Sequence, residues 1–143
     1  MTTMPSWEEV RVHVRGRFKV ASETESAIEL AWRIPTPGGA IEQRVQVAHI
    51  EVENEPWLAI LVDVGPEAVL AHRSAIVHQD RQGFGALVLR DGRYLLRHSF
   101  PLPNAAWADV DRALRLVART AAGLRMGLGG PKGGAPPFEI DGL

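Results

Sequence analysis

Apolar residues along this chain recur with two periods, and the switches between them mark out its elements. Trp7, Val10, Val14 and Phe18 fall at three- and four-residue steps, the spacing of one face of a short amphipathic helix. Ser6-Trp7-Glu8-Glu9 supplies a capping box at its start, Ser6 capping the N–H of Glu9 while Glu9 reaches back. The alternating Val10, Val12 and Val14 also fit a strand. From Ala27 to Ile34 the period is two, with Ile28, Leu30, Trp32 and Ile34 on one face. Pro35-Thr36-Pro37-Gly38-Gly39 reads as a loop. Ile41 to Val52 reads as a second strand, with a phase slip between Val45/Val47 and Ala48/Ile50/Val52 that a bulge would produce. After a turn at Glu53-Asn54-Glu55-Pro56, Trp57 to Val64 is a nearly continuous apolar run, the mark of a central strand buried on both faces. Gly65-Pro66 then opens a short helix to about His78, with Pro66 at its first position, and Gln79 to Gly83 is a polar loop.

The strongest local signal is Phe84 to Arg125, a hairpin running into an Ala/Arg/Leu-rich helix. Asp91-Gly92 is a two-residue type I′ turn signal, because both central positions must tolerate positive φ. That turn sets Arg90 opposite Arg93, Val88 opposite Leu95 and Ala86 opposite Arg97. One hairpin face then carries Leu87, Leu89, Tyr94, Leu96, His98 and Phe100 and is apolar enough to lie under a helix. The other mixes Val88 and Leu95 with Arg90, Arg93 and Arg97. Asn104 is placed as the N-cap of the last helix. Trp107, Val110, Leu114, Val117, Ala121 and Leu124 form its apolar stripe. Arg112, Arg115 and Arg119 form a separate basic stripe, and Gly127 and Gly129 end the helix.

The element order is thus α-β-β-β-α-β-β-α, an α+β fold with a five-stranded antiparallel sheet covered mainly on one face. At 143 residues this is one domain, residues 1–126, followed by a flexible Gly/Pro-rich tail, residues 127–143. A formal net charge of −1 implies neither nucleic acid nor an anionic membrane as a partner. The absence of cysteine removes disulfides, thiolate nucleophiles and zinc–thiolate sites. Neither a secretory leader nor a membrane-spanning run is visible, so a cytoplasmic protein is expected.

Candidate chemistry is sparse. His13, His49, His72, His78 and His98 include no pair with convincing metal-ligand spacing. Ser74 lies near His72 and His78 without a Gly-x-Ser-x-Gly elbow. Glu51, Glu53, Glu55 and Asp63 read as carboxylates around a solvated turn. The glycines around Lys132 resemble a phosphate loop but lack the preceding strand, the following helix and the Ser or Thr after the lysine. No catalytic residue, metal or cofactor is assigned.

The order of elements resembles the type III secretion chaperone-like fold, and in particular the YbjN-like bacterial family grouped with it. The likeness covers roughly residues 6–126. It rests on the element order, on the hairpin GFGALVLRDGRYLLRHSFPL and on the terminal helix WADVDRALRLVARTAAGLR. It implies a small homodimeric, non-enzymatic module that binds a protein or peptide client, with Val69 and Ile76 of the middle helix at the dimer contact. Val88 and Leu95, flanked by Arg90, Arg93 and Arg97, are the expected partner surface, with Trp32 and Trp57 as further contacts. The alternative is a sensor domain holding a small apolar ligand in a sheet–helix cleft.

Overall fold

The computed structural model describes residues 6–66, 85–102 and 105–129. Helix α1 (Trp7–Arg17) begins with the expected capping box: Ser6 Oγ accepts from the Glu9 amide at 3.2 Å, and Glu9 Oε1 accepts from the Ser6 amide at 3.4 Å. Val10 and Val14 are fully buried while Val12 is 65% exposed. A strand would have put all three on one face, so the helical period governs this segment.

Six strands follow: β1 (Val20–Glu23), β2 (Ala27–Thr36), β3 (Gly39–Val52), β4 (Glu55–Pro66), β5 (Ala86–Arg90) and β6 (Arg93–Pro101); helix α2 (Trp107–Gly129) closes the described fold. They form one antiparallel sheet in the order β1-β2-β3-β4-β6-β5. The broad α+β class therefore holds, but the expected five strands become six. The addition is β1, four residues too short to show an alternating pattern. Beyond the end of β1, β2 continues through Trp32–Thr36, paired only with β3.

Three hairpins among the described residues have two-residue turns; that between β2 and β3 is at Pro37-Gly38, shorter than the expected Pro35–Gly39 loop, and the other two turn where the sequence placed them. Glu53 and Asn54 have φ of 50° and 65°, and Asp91 and Gly92 have φ of 51° and 75°. The β5–β6 register pairs Arg90 with Arg93, Val88 with Leu95 and Ala86 with Arg97.

Three expectations need correction. The phase slip in β3 is not a bulge, since its registers with β2 and β4 are unbroken. It arises because β3 is apolar on both faces: Val45 and Val47 face the helices, while Ala48 and Ile50 pair with Ala59 and Trp57 on the other face. Bulges fall instead at Val20/Ser22 and at Asp63/Gly65. Pro66 does not start a helix; it ends β4, opposite Arg93. A proline needs no N–H partner at a strand end any more than at a first helical turn, so the residue type suits both places. Third, Leu89 is 47% exposed and not core, because it lies on the outermost strand of the sheet. The rest of the expected 66–78 helix, with Val69, His72, Ser74, Ile76 and His78, lies outside the described residues, as does Asn104.

The two described helices pack on one side of the sheet. Val10 and Val14 from α1, and Val110, Leu114, Val117, Ala121 and Leu124 from α2, share a core with Leu30, Val47, Ile60 and Leu96. α2 lies chiefly over β4. Its Ala113, Ala118, Ala121 and Ala122 are all buried, and such small side chains allow close approach to the strands.

β1 ties α1 to the sheet through one carboxylate. Glu23 accepts hydrogen bonds from Arg15 Nε at 2.8 Å and from Arg11 Nε at 3.1 Å. The bonds from Arg15 and then Arg11 hold its carboxyl at about 2, below its ordinary value of 4.5. A depressed carboxyl pKa stabilises the fold above the unfolded value, and that contribution is lost as pH falls. Thermal unfolding measured across pH is therefore expected to show a loss between 4.5 and about 2 that the Glu23→Gln variant lacks. Parallel profiles for the two proteins would show that Glu23 does not contribute.

Candidate binding face

Residues opposite one another across antiparallel strands share a face. On the face turned away from α1 and α2, Val88, Leu95 and Asp63 form one cross-strand row, and Ala86, Arg97 and Leu61 form the next. Ser99, Ala59 and Ala48 continue it, and Pro101, Trp57 and Ile50 complete it at the far end. Ala59 and Leu61 are buried here yet belong to no part of the helix-side core. The sheet thus carries a second apolar layer, in which Val88, Leu95, Ile50 and Trp57 are half-buried.

The charges on this face are unequal. Arg93 is held by Asp63, with Nε 2.6 Å from Oδ2 and Nη2 3.1 Å from Oδ1, a bidentate pair. Arg97 donates from Nε to Ser99 Oγ at 3.1 Å. Arg90 is exposed and makes no ion pair among the described residues. Trp57 Nε1 is buried without a hydrogen-bond partner.

The structure therefore brings Val88, Leu95, Arg90, Arg93, Arg97 and Trp57 to one face. Trp32 lies on the other, under the helices, with Phe18 tilted against it at a centroid distance of 4.8 Å. Val69 and Ile76, the expected dimer contact, lie outside the described residues. The carboxylates around the β3–β4 turn do not converge: Asp63 lies far along β4 and is committed to Arg93. Among the described residues no group of three or more histidine or acidic side chains is placed to hold a metal ion.

Two features escaped the sequence reading. The first is a tie between the helices. His13 Nε2 lies 2.8 Å from Asp111 Oδ1, its ring stacks on Trp107 at 4.5 Å, and Arg17 reaches Asp111 Oδ2 at 3.4 Å. Beside it, Glu8, Glu9, Val12, His13 and Trp107 line an open concavity of about 440 Å³. Among the described residues its lining offers apolar surface, an imidazole and two carboxylates. The second is Gln43, fully buried opposite Trp32 under the end of α2. Its Oε1 accepts from the Arg125 guanidinium, which also donates to the Glu42 carbonyl at 3.2 Å, while Gln43 Nε2 has no partner. The only signal for either feature was the exposed position of Val12 on the helical wheel.

No protein-family model matches this chain, and no curated protein is significantly similar to it. No described helix is long and apolar enough to cross a membrane.

Proposed function

We propose that this chain is a non-enzymatic protein- or peptide-binding module, dimeric and chaperone- or adaptor-like, of the secretion-chaperone-like, YbjN-like kind. The carrying observation is the half-buried Val88–Leu95 pair on the sheet face away from both helices, beside the exposed Arg90. Apolar side chains flanked by guanidinium groups suit a client segment that alternates apolar and acidic residues. With Arg93 committed to Asp63, Arg90 is the cation left for a client carboxylate, and Arg97 is tied only to a serine. The centre of the helix–sheet interface is filled by Leu30, Val47, Ile60 and Leu114, which favours a client on the outer hairpin surface around Val88, Leu95 and Arg90, since Ala59 and Leu61 farther along that face are already buried.

The test is fluorescence anisotropy with a labelled peptide of alternating leucine and glutamate, against a leucine–lysine control. The acidic peptide is expected to bind the more tightly. Val88→Asp combined with Leu95→Asp is expected to raise its Kd by at least about tenfold, about 1.4 kcal/mol, with an unchanged circular dichroism spectrum. Leu95→Ser alone shifts affinity in the same direction and serves if two facing aspartates unfold the hairpin. Unchanged affinity in folded variants would remove the assignment.

A further inference from the structure

The outward surface of the two helices carries two features of opposite charge. On α2, Arg112, Arg115, Leu116 and Arg119 share one side of the helix by their three-, four- and seven-residue spacing. All are exposed, Leu116 at 38%. Arg11, Arg15, Arg17, Arg44 and Arg93 all form ion pairs, but none of these three does so among the described residues. Asp111, four residues before Arg115, is taken by His13 and Arg17. The result is a basic ridge with an apolar residue, Leu116, along one edge.

The concavity beside α1 has the converse make-up: Val12 and Trp107 supply apolar surface, and Glu8 and Glu9 supply carboxylates. Glu8 is paired with Arg11 at 3.0 Å but stays 73% exposed, and Glu9 turns one oxygen to Ser6 and keeps the other. Val10 and Val14 of α1, like Val110, Leu114 and Val117 of α2, point into the sheet; Val12 and the ridge lie on the outward side, and Trp107, partly packed against the core, gives its remaining surface to the groove. The groove sits at the start of α2, and the ridge runs along the helix away from it.

We propose that a second copy of this chain docks here. Leu116 of one copy enters the Val12–Trp107 groove of the other, with the arginine ridge against Glu8 and Glu9. Because each copy carries both features on one side, a two-fold axis lets each give one ridge and receive one, and the assembly closes at two. This rests on the dimer of the proposed function but places its contact on the described helices, in place of the expected Val69 and Ile76, and turns the Val88–Leu95 faces outward. Contacts of this kind weaken with salt, as screening shortens the reach of exposed charges.

Sedimentation velocity on the full chain tests it. A dimer is expected at about 0.1 M salt, weakened about tenfold at about 1 M, as the Debye length falls from about 10 Å to about 3 Å. Arg115→Glu with Arg119→Glu is expected to be monomeric, as is Glu8→Lys with Val12→Lys, each keeping the parent thermal transition. An equimolar mixture of the two variants restores the dimer, because each reversed surface meets its complement. The sheet-face variant Val88→Asp with Leu95→Asp stays dimeric, which separates failure of the interface from failure of client binding. A monomeric parent protein, a dimer indifferent to both reversals, an open-ended polymer or a mixture that stays monomeric would each overturn the proposal.

Discussion

Leu114→Ala is expected to lower the free energy of unfolding by about 2–5 kcal/mol, toward the upper end of that range. Leu114 is fully buried at the middle of the α2 stripe, over β4. The cost of a large-to-small change has two parts: the transfer of the lost methyl groups and the void left behind. The void is the larger concern here. The side chains beside Leu114 on the helix include Ala113, Ala118 and Ala121, which have no length with which to fill it. The strands beneath are held in register on both sides and have little room to close in. Val52, exposed at the end of β3 and part of neither proposed surface, provides the control, since Val52→Ala is expected to change stability by no more than about 0.5 kcal/mol. Urea unfolding of both variants measures the difference. Equal, small losses would mean that α2 is not the lid of the core.

Arg125→Met and Gln43→Met are expected to act in opposite directions. Gln43 is sealed between β3 and α2, and its oxygen is satisfied only by Arg125. Removing the guanidinium leaves that oxygen buried without a donor, a loss of about 1–3 kcal/mol. Gln43→Met removes both ends of the amide at nearly constant volume, including the Nε2 that already lacks a partner. It is expected to be neutral or stabilising, because replacing an incompletely satisfied buried polar group by an apolar one of similar shape removes a desolvation penalty. In the Gln43→Met background the arginine keeps only its bond to the Glu42 carbonyl, so its loss is expected to cost less than in the parent protein. Chemical unfolding of the four proteins measures this cycle directly. A Gln43→Met variant less stable than Arg125→Met would show that the amide is held better than its geometry indicates.

What could be read from the chain, and what could not, divides by distance in sequence. Asp91-Gly92 fixed its hairpin to the residue, because few residue types accept positive φ at both central positions and a two-residue turn leaves one register. The α2 stripe was equally legible, since helical periodicity reports which side is buried. β1 was missed because four residues carry no period, and its place depends on a chain reversal and on α1. Pro66 was misplaced because missing an N–H is harmless both at a helix start and at a strand end. The candidate surfaces were legible only as faces. The Arg93–Asp63 pair, which removes one of three arginines from the binding face, joins residues 30 positions apart. The His13–Asp111 tie, which builds one wall of the groove, spans 98. Periodicity states which way a side chain points and is silent about what it meets.

The overhang of β2 beyond β1 has a consequence for how this chain behaves in crowded solution. The Ala31 amide donates outward to Lys19, so by the alternation of the ladder Arg33 and Pro35 also direct their backbone outward. Among the described residues nothing pairs with them there. An uncovered strand edge is ordinarily a template on which a further chain can grow. Here Pro35 has no N–H to offer, and Arg33 places a cation beside the only outward amide on the overhang. Strand stacking is thus opposed at this edge by two side chains, neither of which contributes to the core.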